Sequence, residues 1–314
     1  NYGWPNFRIV LEFDDWKACI LYGLNKAFHC VYFCDDFGIY LRESYNIKLL
    51  MAIIIEKSTA LSDTLLAIER KQCCKLESLH FSSPIEFIYN PLEYAYDLHS
   101  KFVHRFCNSP KIILFLGMNP GPWGMSQTGI PFGEIQVVKE WLKLSGTVGH
   151  PVKEHPSRQV LGLDCKRSEI SGKKFWGFFQ NLCGEPETFF QHSFVYNYCP
   201  FAFMTETGKN ITPAELKISE RQAINEICDE ALCDVLRLLE VEIIIAIGRF
   251  AETRAAKAVK GTELEGKIKV MINHSNVAVF CIENFSLDEN LTRPSTSNTT
   301  KQGGTSSRKD STNS

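Results

Sequence analysis

The chain has 314 residues, 44% of them hydrophobic and 22% charged, with a formal net charge of −2. That balance suits a globular protein with one substantial core domain and excludes a global basic field, so any nucleic-acid surface must be local. Its twelve cysteines include no Cys-x-x-Cys and no paired Cys/His spacing of a zinc site. Several fall in apolar runs, as reduced buried thiols do, and His29-Cys30-x-x-x-Cys34 is read in the same bland way. No apolar stretch approaches the length of a membrane span, and no signal peptide is expected.

The first methionine is Met51. Residues 1–50 are rich in aromatic and charged residues without clean periodicity. Either the chain is a fragment or this stretch is translated upstream sequence, and no function is assigned to it. Leu65, Leu66, Ile68 and Leu76 recur at helical spacing and predict a helix over 64–80. Residues 51–83 thus read as a helical lead-in and 84–280 as the main domain.

Within that domain four apolar segments predict strands: Lys111–Leu116, Ser193–Asn197, Val241–Ile247 and Lys267–Ile272. Helical faces separate them. Ile135, Val138, Trp141 and Leu142 form one, and Phe175, Phe178, Phe179 and Leu182 a second. Ile224–Leu239 and Phe250–Val259 make two more. Strands alternating with helices predict an α/β domain with a mostly parallel four-stranded sheet. Thr212-Pro-Ala-Glu215 reads as a capping box with proline at the first helical position, a helix start. From Thr292 the chain turns to Ser, Thr, Asn, Gly and Lys, so 281–314 is expected to be a disordered polar tail.

In open α/β sheets ligands bind outside the carboxyl ends of the strands. Asn119 follows the first strand, inside a turn held by Gly117, Pro120, Gly121 and Pro122. Asn197 ends the second, Gly248 follows the third and His274 the fourth. Taken singly, an asparagine in a turn bonds its own backbone and a histidine after a strand lies at the surface. Their shared edge favours a site. Gly117-x-Asn119-x-Gly121 is no phosphate loop, since no lysine follows, and the edge carries neither a Ser-His-Asp set nor a carboxylate pair. Asn119 has no useful pKa and can only hold something, such as a water, through its amide oxygen. Asn197 offers donor and acceptor side by side, the complement of a planar imide edge. Phe132, in Thr128-Gly-Ile-Pro-Phe132-Gly-Glu, supplies a stacking face. A planar, stackable, hydrogen-bonding substrate describes a nucleobase.

These residues resemble those of the single-strand-selective monofunctional uracil-DNA glycosylases, within the uracil-DNA glycosylase superfamily. The matching words are Ile88-Tyr-Asn-Pro-Leu-Glu-Tyr94, Leu116-Gly-Met-Asn-Pro-Gly-Pro122, Gly124-Met-Ser-Gln-Thr-Gly-Ile-Pro-Phe-Gly-Glu134 and Ser171-Gly-Lys-Lys-Phe-Trp-Gly-Phe-Phe179. Asn210-Ile-Thr-Pro-Ala-Glu-Leu216, Ile227-Cys-Asp-Glu-Ala-Leu-Cys233 and Gly248-Arg-Phe-Ala-Glu252 add support, so the likeness runs from about Leu65 to His274. It implies a three-layer α/β/α sandwich that takes a base swung out of single- or double-stranded DNA, in the nucleus, as a monomer, with no metal, cofactor or Schiff-base lysine. By the same resemblance Asn119 positions the attacking water, and His274 stabilises charge on the uracil carbonyl. Asn197 reads the base, Phe132 stacks on it, and Met118 lines the pocket. Gly121 to Met125 leaves room at the 5-position, so uracil, 5-hydroxymethyluracil and related oxidised pyrimidines are expected substrates, and thymine is not. Thr207, Lys209, Asn210 and Thr212 fall in the family's DNA-contacting segment; Lys209 and Asn210 would stand beside the amino end of the helix expected at Thr212, where a phosphate is favoured.

One departure stands out. The family follows its histidine with Pro-Ser-Pro-Arg, a wedge into the duplex, and a closing helix. Here His274 is followed by Ser275-Asn-Val-Ala-Val-Phe-Cys281 and the polar tail. An alternative terminal segment and a catalytically weakened form are both consistent with this. Two readings therefore stand: a base-excision glycosylase, and a glycosylase-like module that grips single-stranded or damaged DNA without cleaving it.

Overall fold

The computed structural model describes residues 45–272, with side chains from 56 onward. The expectations for residues 1–44, for His274 and for the polar tail lie outside these residues. Helix α1 runs from Tyr45 to Glu77, starting well before the predicted residue 64. The sequence here is dotted with Ser and Thr, which compete for backbone groups and suggest a break. Instead their hydroxyls bond back along the helix: Thr64 Oγ1 donates to the Ala60 carbonyl at 2.6 Å and Ser62 Oγ to that of Ser58 at 3.2 Å.

The central sheet has four parallel strands: β2 (Ile113–Gly117), β3 (Ser193–Asn197), β6 (Ile243–Ala246) and β7 (Lys269–Ile272), in the order β3-β2-β6-β7. Every residue of β2 and β3 is buried. Because side chains alternate between faces, continuous burial means that helices cover both, which makes the domain a three-layer α/β/α sandwich as expected. On one face Phe115 packs against Phe175 and Phe179 of α5 (Ile170–Cys183) and Phe189 of α6 (Pro186–His192), with ring centroids 5.1–5.4 Å apart. The long helix α7 (Ile218–Leu238) and α8 (Arg249–Val259) add Ile224, Leu232, Val235, Ala251 and Ala255 to the same core. Burying a side chain the size of Leu or Phe contributes about 1.5–3 kcal/mol, so this apolar cluster dominates stability.

Four sequence expectations need correction. A second sheet was not foreseen: β1 (Phe87–Tyr89), β4 (Ala202–Met204) and β5 (Asn210–Ile211) pair antiparallel in the order β1-β4-β5. Its strands of three, three and two residues are too short to show a period. Two short helices, α2 (Pro91–Tyr94) and α3 (Tyr96–Phe106), lead from it into β2, and α4 (Met125–Thr128) follows β2. The face built on Ile135, Val138, Trp141 and Leu142 forms only a π-helical turn, Val137–Trp141, where the Leu142 amide reaches back to the Val137 carbonyl. β2 begins at Ile113, because Lys111 turns inward to donate from Nζ to the Phe190 carbonyl and Ser109 Oγ. Finally, the Thr212 capping box is present, but it caps a single 3₁₀ turn, Pro213–Glu215. Buried Leu216 then takes an extended conformation, and α7 starts only at Ile218.

Candidate active site

The register of the parallel sheet assembles the site. Gly117 of β2 lies opposite Asn197 of β3, and Leu116 lies opposite Ala246 of β6, so the carboxyl ends of these strands finish level. The chain leaves β2 towards β3 on one side and leaves β6 towards β7 on the other. The crevice between such diverging connections is where open α/β sheets place ligands. Asn119 lies two residues beyond Gly117, in the loop that leaves β2.

Gly117 is the meeting point. A Cβ there would come within 2.1 Å of Asn197 Oδ1 and 2.8 Å of Phe132 Cζ. Both side chains therefore converge on bare main chain, an approach only glycine allows. Asn197 is buried, and its Nδ2 donates to the Met125 thioether at 3.0 Å. Sulfur is a weak acceptor, so a carbonyl of a bound base competes for that donor on favourable terms.

Asn197 is held from both neighbours. Gln72 of α1 accepts from the Tyr196 hydroxyl at 2.9 Å and donates to the Tyr198 carbonyl at 3.0 Å. The Tyr198 hydroxyl donates to Asp229 at 2.7 Å, and Arg254 pairs with the same carboxylate. The Tyr198 and Cys199 amides continue the ladder to the Gly117 and Met118 carbonyls at 3.0 and 2.9 Å.

Asn119 is partly exposed, and its Nδ2 donates to the Phe201 carbonyl at 3.2 Å. A carbonyl can only accept, so the amide nitrogen must face it, and Oδ1 is turned to the other side. Among the described residues no donor reaches that oxygen.

Phe132 adopts φ +56°, a left-handed conformation that a bulky residue takes only under constraint. Its carbonyl accepts from the Trp176 indole at 3.0 Å and from the Glu134 amide at 2.7 Å. Its ring stacks on Phe175 at 4.7 Å with 16° between planes. Gly172 lets α5 come this close, since a Cβ there would stand 2.4 Å from the Phe132 carbonyl. On the other side of the loop, His99 bridges the Gly129 carbonyl at 2.8 Å and Glu69 at 2.6 Å. Burial opposes charge on His99, but the Glu69 carboxylate and the Gly129 carbonyl outweigh it and raise its pKa. Both nitrogens face acceptors, so the imidazolium is the form that satisfies them.

Gly121 and Gly124 are covered by Glu169, whose carboxylate would lie 2.4 Å from a Cβ at Gly121. Thr207 and Lys209 occupy a tight turn closed by the Thr205 amide to the Lys209 carbonyl at 3.0 Å. Asn210 begins β5 with its Oδ1 buried and unpaired. The helix dipole expected beside them is absent, because no helix starts at Thr212. Sequence reasoning gave no place at the site to Gln72, Gly172, Phe175, Trp176 or Phe201, nor to Gly117 beyond its turn; only the glycines and the aromatic run gave a readable signal. A cavity of about 410 Å³ opens elsewhere, lined by residues that include Glu69, Arg70, Glu77, Asn90 and Glu93. Among the described residues no three His, Cys, Asp or Glu gather as a metal site, and no helix is long and apolar enough to cross a membrane.

No family model matches the chain. Curated proteins do. The single-strand selective monofunctional uracil DNA glycosylase of Mus musculus is 47% identical over 216 residues, 69% of this chain and 77% of the mouse protein. That of Rattus norvegicus is also 47% identical, over 69% of this chain and 78% of its own, and that of Bos taurus 50% identical over 64% and 74%. Among solved structures, SMUG2 of Pedobacter heparinus superposes with a TM-score of 0.47 at 19% identity, over 71% of this chain and 97% of that one. On the extent and identity of the mammalian matches, the chain belongs to the single-strand-selective monofunctional uracil-DNA glycosylase family.

Proposed function

We propose that this chain is a monofunctional DNA glycosylase that takes uracil, swung out of DNA, into a pocket at the carboxyl ends of β2 and β3 and hydrolyses its N-glycosidic bond. The observation that carries the reading is the convergence of the Asn197 amide and the Phe132 ring on Gly117, with Asn119 two residues further on. The Phe132–Phe175 stack gives a planar base a rigid face. The Asn197 amide meets the base's edge, its acceptor matching an imide N–H and its donor a carbonyl. Asn119 Oδ1 accepts a hydrogen bond from a water, which attacks the sugar carbon as the glycosidic electron pair leaves with the base. His274 is assigned to the charge that builds on the departing uracil. Preorganised groups of this kind are typically worth ~10²–10³ in rate each.

The same reading extends to 5-hydroxymethyluracil and related oxidised pyrimidines, with Gly121–Met125 as the wall at the 5-position. Met118 lines the pocket through its backbone, and Thr207, Lys209, Asn210 and Thr212 approach the DNA. The nucleus is the proposed compartment and the monomer the working state. Incubation with a uracil-containing oligonucleotide, followed by alkaline cleavage of abasic sites, tests the proposal. Strand scission dependent on uracil is the expected result. Tight binding of the oligonucleotide without base release would instead identify a DNA-gripping module.

A further inference from the structure

Four residues beyond Asn119, one aromatic ring gathers two cations. The Arg167 guanidinium carbon stands 4.3 Å from the Trp123 ring centroid and that of Arg158 5.2 Å. Attraction to an indole face holds a guanidinium in place while leaving its N–H edge available. Neither arginine forms an ion pair with any carboxylate among the described residues. Glu169, two residues from Arg167 in the sequence, accepts from the Trp123 amide at 3.4 Å and the Ser171 hydroxyl at 2.9 Å. Arg158 uses only Nε, donating to the Gly208 carbonyl at 2.8 Å, so its terminal fork is unpaired. Lys166, next to Arg167 in the sequence, makes no ion pair among the described residues either.

Two like charges brought this close repel each other, and a structure that holds them together without a counter-charge has an anion as their natural partner. The scaffold is firm. The His155 ring bonds the Ser157 amide at 3.0 Å and the Glu206 carbonyl at 2.9 Å, and it lies against Gly208, where a Cβ would come within 2.8 Å. The segment carrying Arg158 is thus fastened to the Thr205–Lys209 turn, while Trp123 is fastened to the turn carrying Asn119.

We propose that Trp123, Arg158 and Arg167 form a bracket for DNA backbone phosphate beside the extruded nucleotide, linking the pocket wall to the Thr205–Lys209 turn. The guanidinium edges take non-bridging oxygens as paired N–H donors, the geometry in which arginine surpasses lysine. The bracket rests on the glycosylase reading for its location, but its binding chemistry is read separately. These are positioning residues: they hold the strand and do not touch the reacting atoms.

The test measures affinity of the full chain for a uracil-free single-stranded oligonucleotide across a salt series, alongside excision from its uracil-containing counterpart. Arg167→Gln is the informative variant, because its guanidinium bonds no other described residue and its loss leaves the fold intact. Each phosphate contact removed lowers the salt slope of binding by about 0.7 on single strands. We expect that fall, a KM raised about three- to tenfold, and kcat unchanged. Arg158→Gln with Arg167→Gln should roughly double the change in slope, and Trp123→Ala should reproduce it by releasing both cations. A slope and KM equal to the parent's in Arg167→Gln and in the double variant would overturn the bracket. A parent that binds DNA yet releases no uracil would overturn the glycosylase reading and leave the salt-slope result standing on its own.

Discussion

Gly117→Ala is the sharpest probe of the site because it adds one methyl group and nothing else. Gly117 does not use a left-handed backbone, so alanine fits its conformation, and any effect comes from the methyl itself. That methyl would stand 2.1 Å from Asn197 Oδ1 and 2.8 Å from Phe132 Cζ. Carbon atoms in comfortable contact are separated by roughly 3.5 Å, so the amide must retreat by more than 1 Å and the ring by less. The amide has little room to do so, because Tyr196 and Tyr198 on either side are pinned by Gln72. Misplacement of a reacting or reading group by ~1 Å costs on the order of 10²-fold in rate. Overpacking at a tight contact costs about 1–3 kcal/mol, or roughly 2–12 °C in melting temperature for a domain of this size. The assay is kcat/KM on a uracil-containing single strand, with affinity for abasic DNA and thermal melting measured in parallel. We expect a loss near 100-fold in kcat/KM, a modest drop in melting temperature and almost unchanged affinity for abasic DNA. A variant that excises uracil within threefold of the parent, at any melting temperature, would show that the pocket is not built around Gly117.

Asn119→Ala should lower uracil excision by roughly 10²–10³-fold with DNA affinity preserved, since the water loses its acceptor while the groove is untouched; equal losses in turnover and in binding, measured by single-turnover kinetics and titration, would refute its role. His274→Ala is expected to lower bond cleavage more than affinity in the same measurements. Replacing Asn197 by Ala removes the base-reading amide and should reduce excision by about 1–3 kcal/mol of transition-state stabilisation, read as kcat/KM; parental excision would make Asn197 purely structural. The raised pKa of His99 means that folding takes up its proton, so the stabilisation from the Glu69 pair is complete below pH 6.5 and is lost as pH rises through the raised value. Denaturant titrations should therefore show stability falling above that pH. His99→Leu should remove the histidine's part of this dependence and cost about 3–5 kcal/mol where the carboxylate left unpaired is ionised.

The central sheet was legible because its strands lie in largely apolar runs, and Ile113–Gly117 and Ser193–Asn197, buried at every residue, are the clearest cases. Asn119 and Asn197 were legible as polar residues at shared strand ends. Register was not, and register is what sets Asn197 against Gly117. The bonds from Gln72 to Tyr196 and Tyr198 span 124 and 126 positions, a distance at which no local pattern carries information. Thr212 misled because a capping box fixes only its own first turn; burial of Leu216 in an extended conformation sets the path of the chain from there to Ile218. Phe132 was legible as an aromatic between proline and glycine, but its left-handed backbone depends on Trp176 and Gly172, a helix away.

The grip of Gln72 also sets when the site can exist. As the chain is synthesised, α1 emerges before the central sheet and carries a glutamine whose two partners are made more than a hundred residues later. Until β3 has been added alongside β2, the Gln72 amide can bond only water, and the end of β3 lacks this anchor. Closing so long a loop is entropically slow, and contacts of this separation mark folds that form late and as a unit. Asn197, between those two tyrosines, is therefore held in place only once α1 and β3 have come together, so a partly made or partly unfolded chain presents no half-built site.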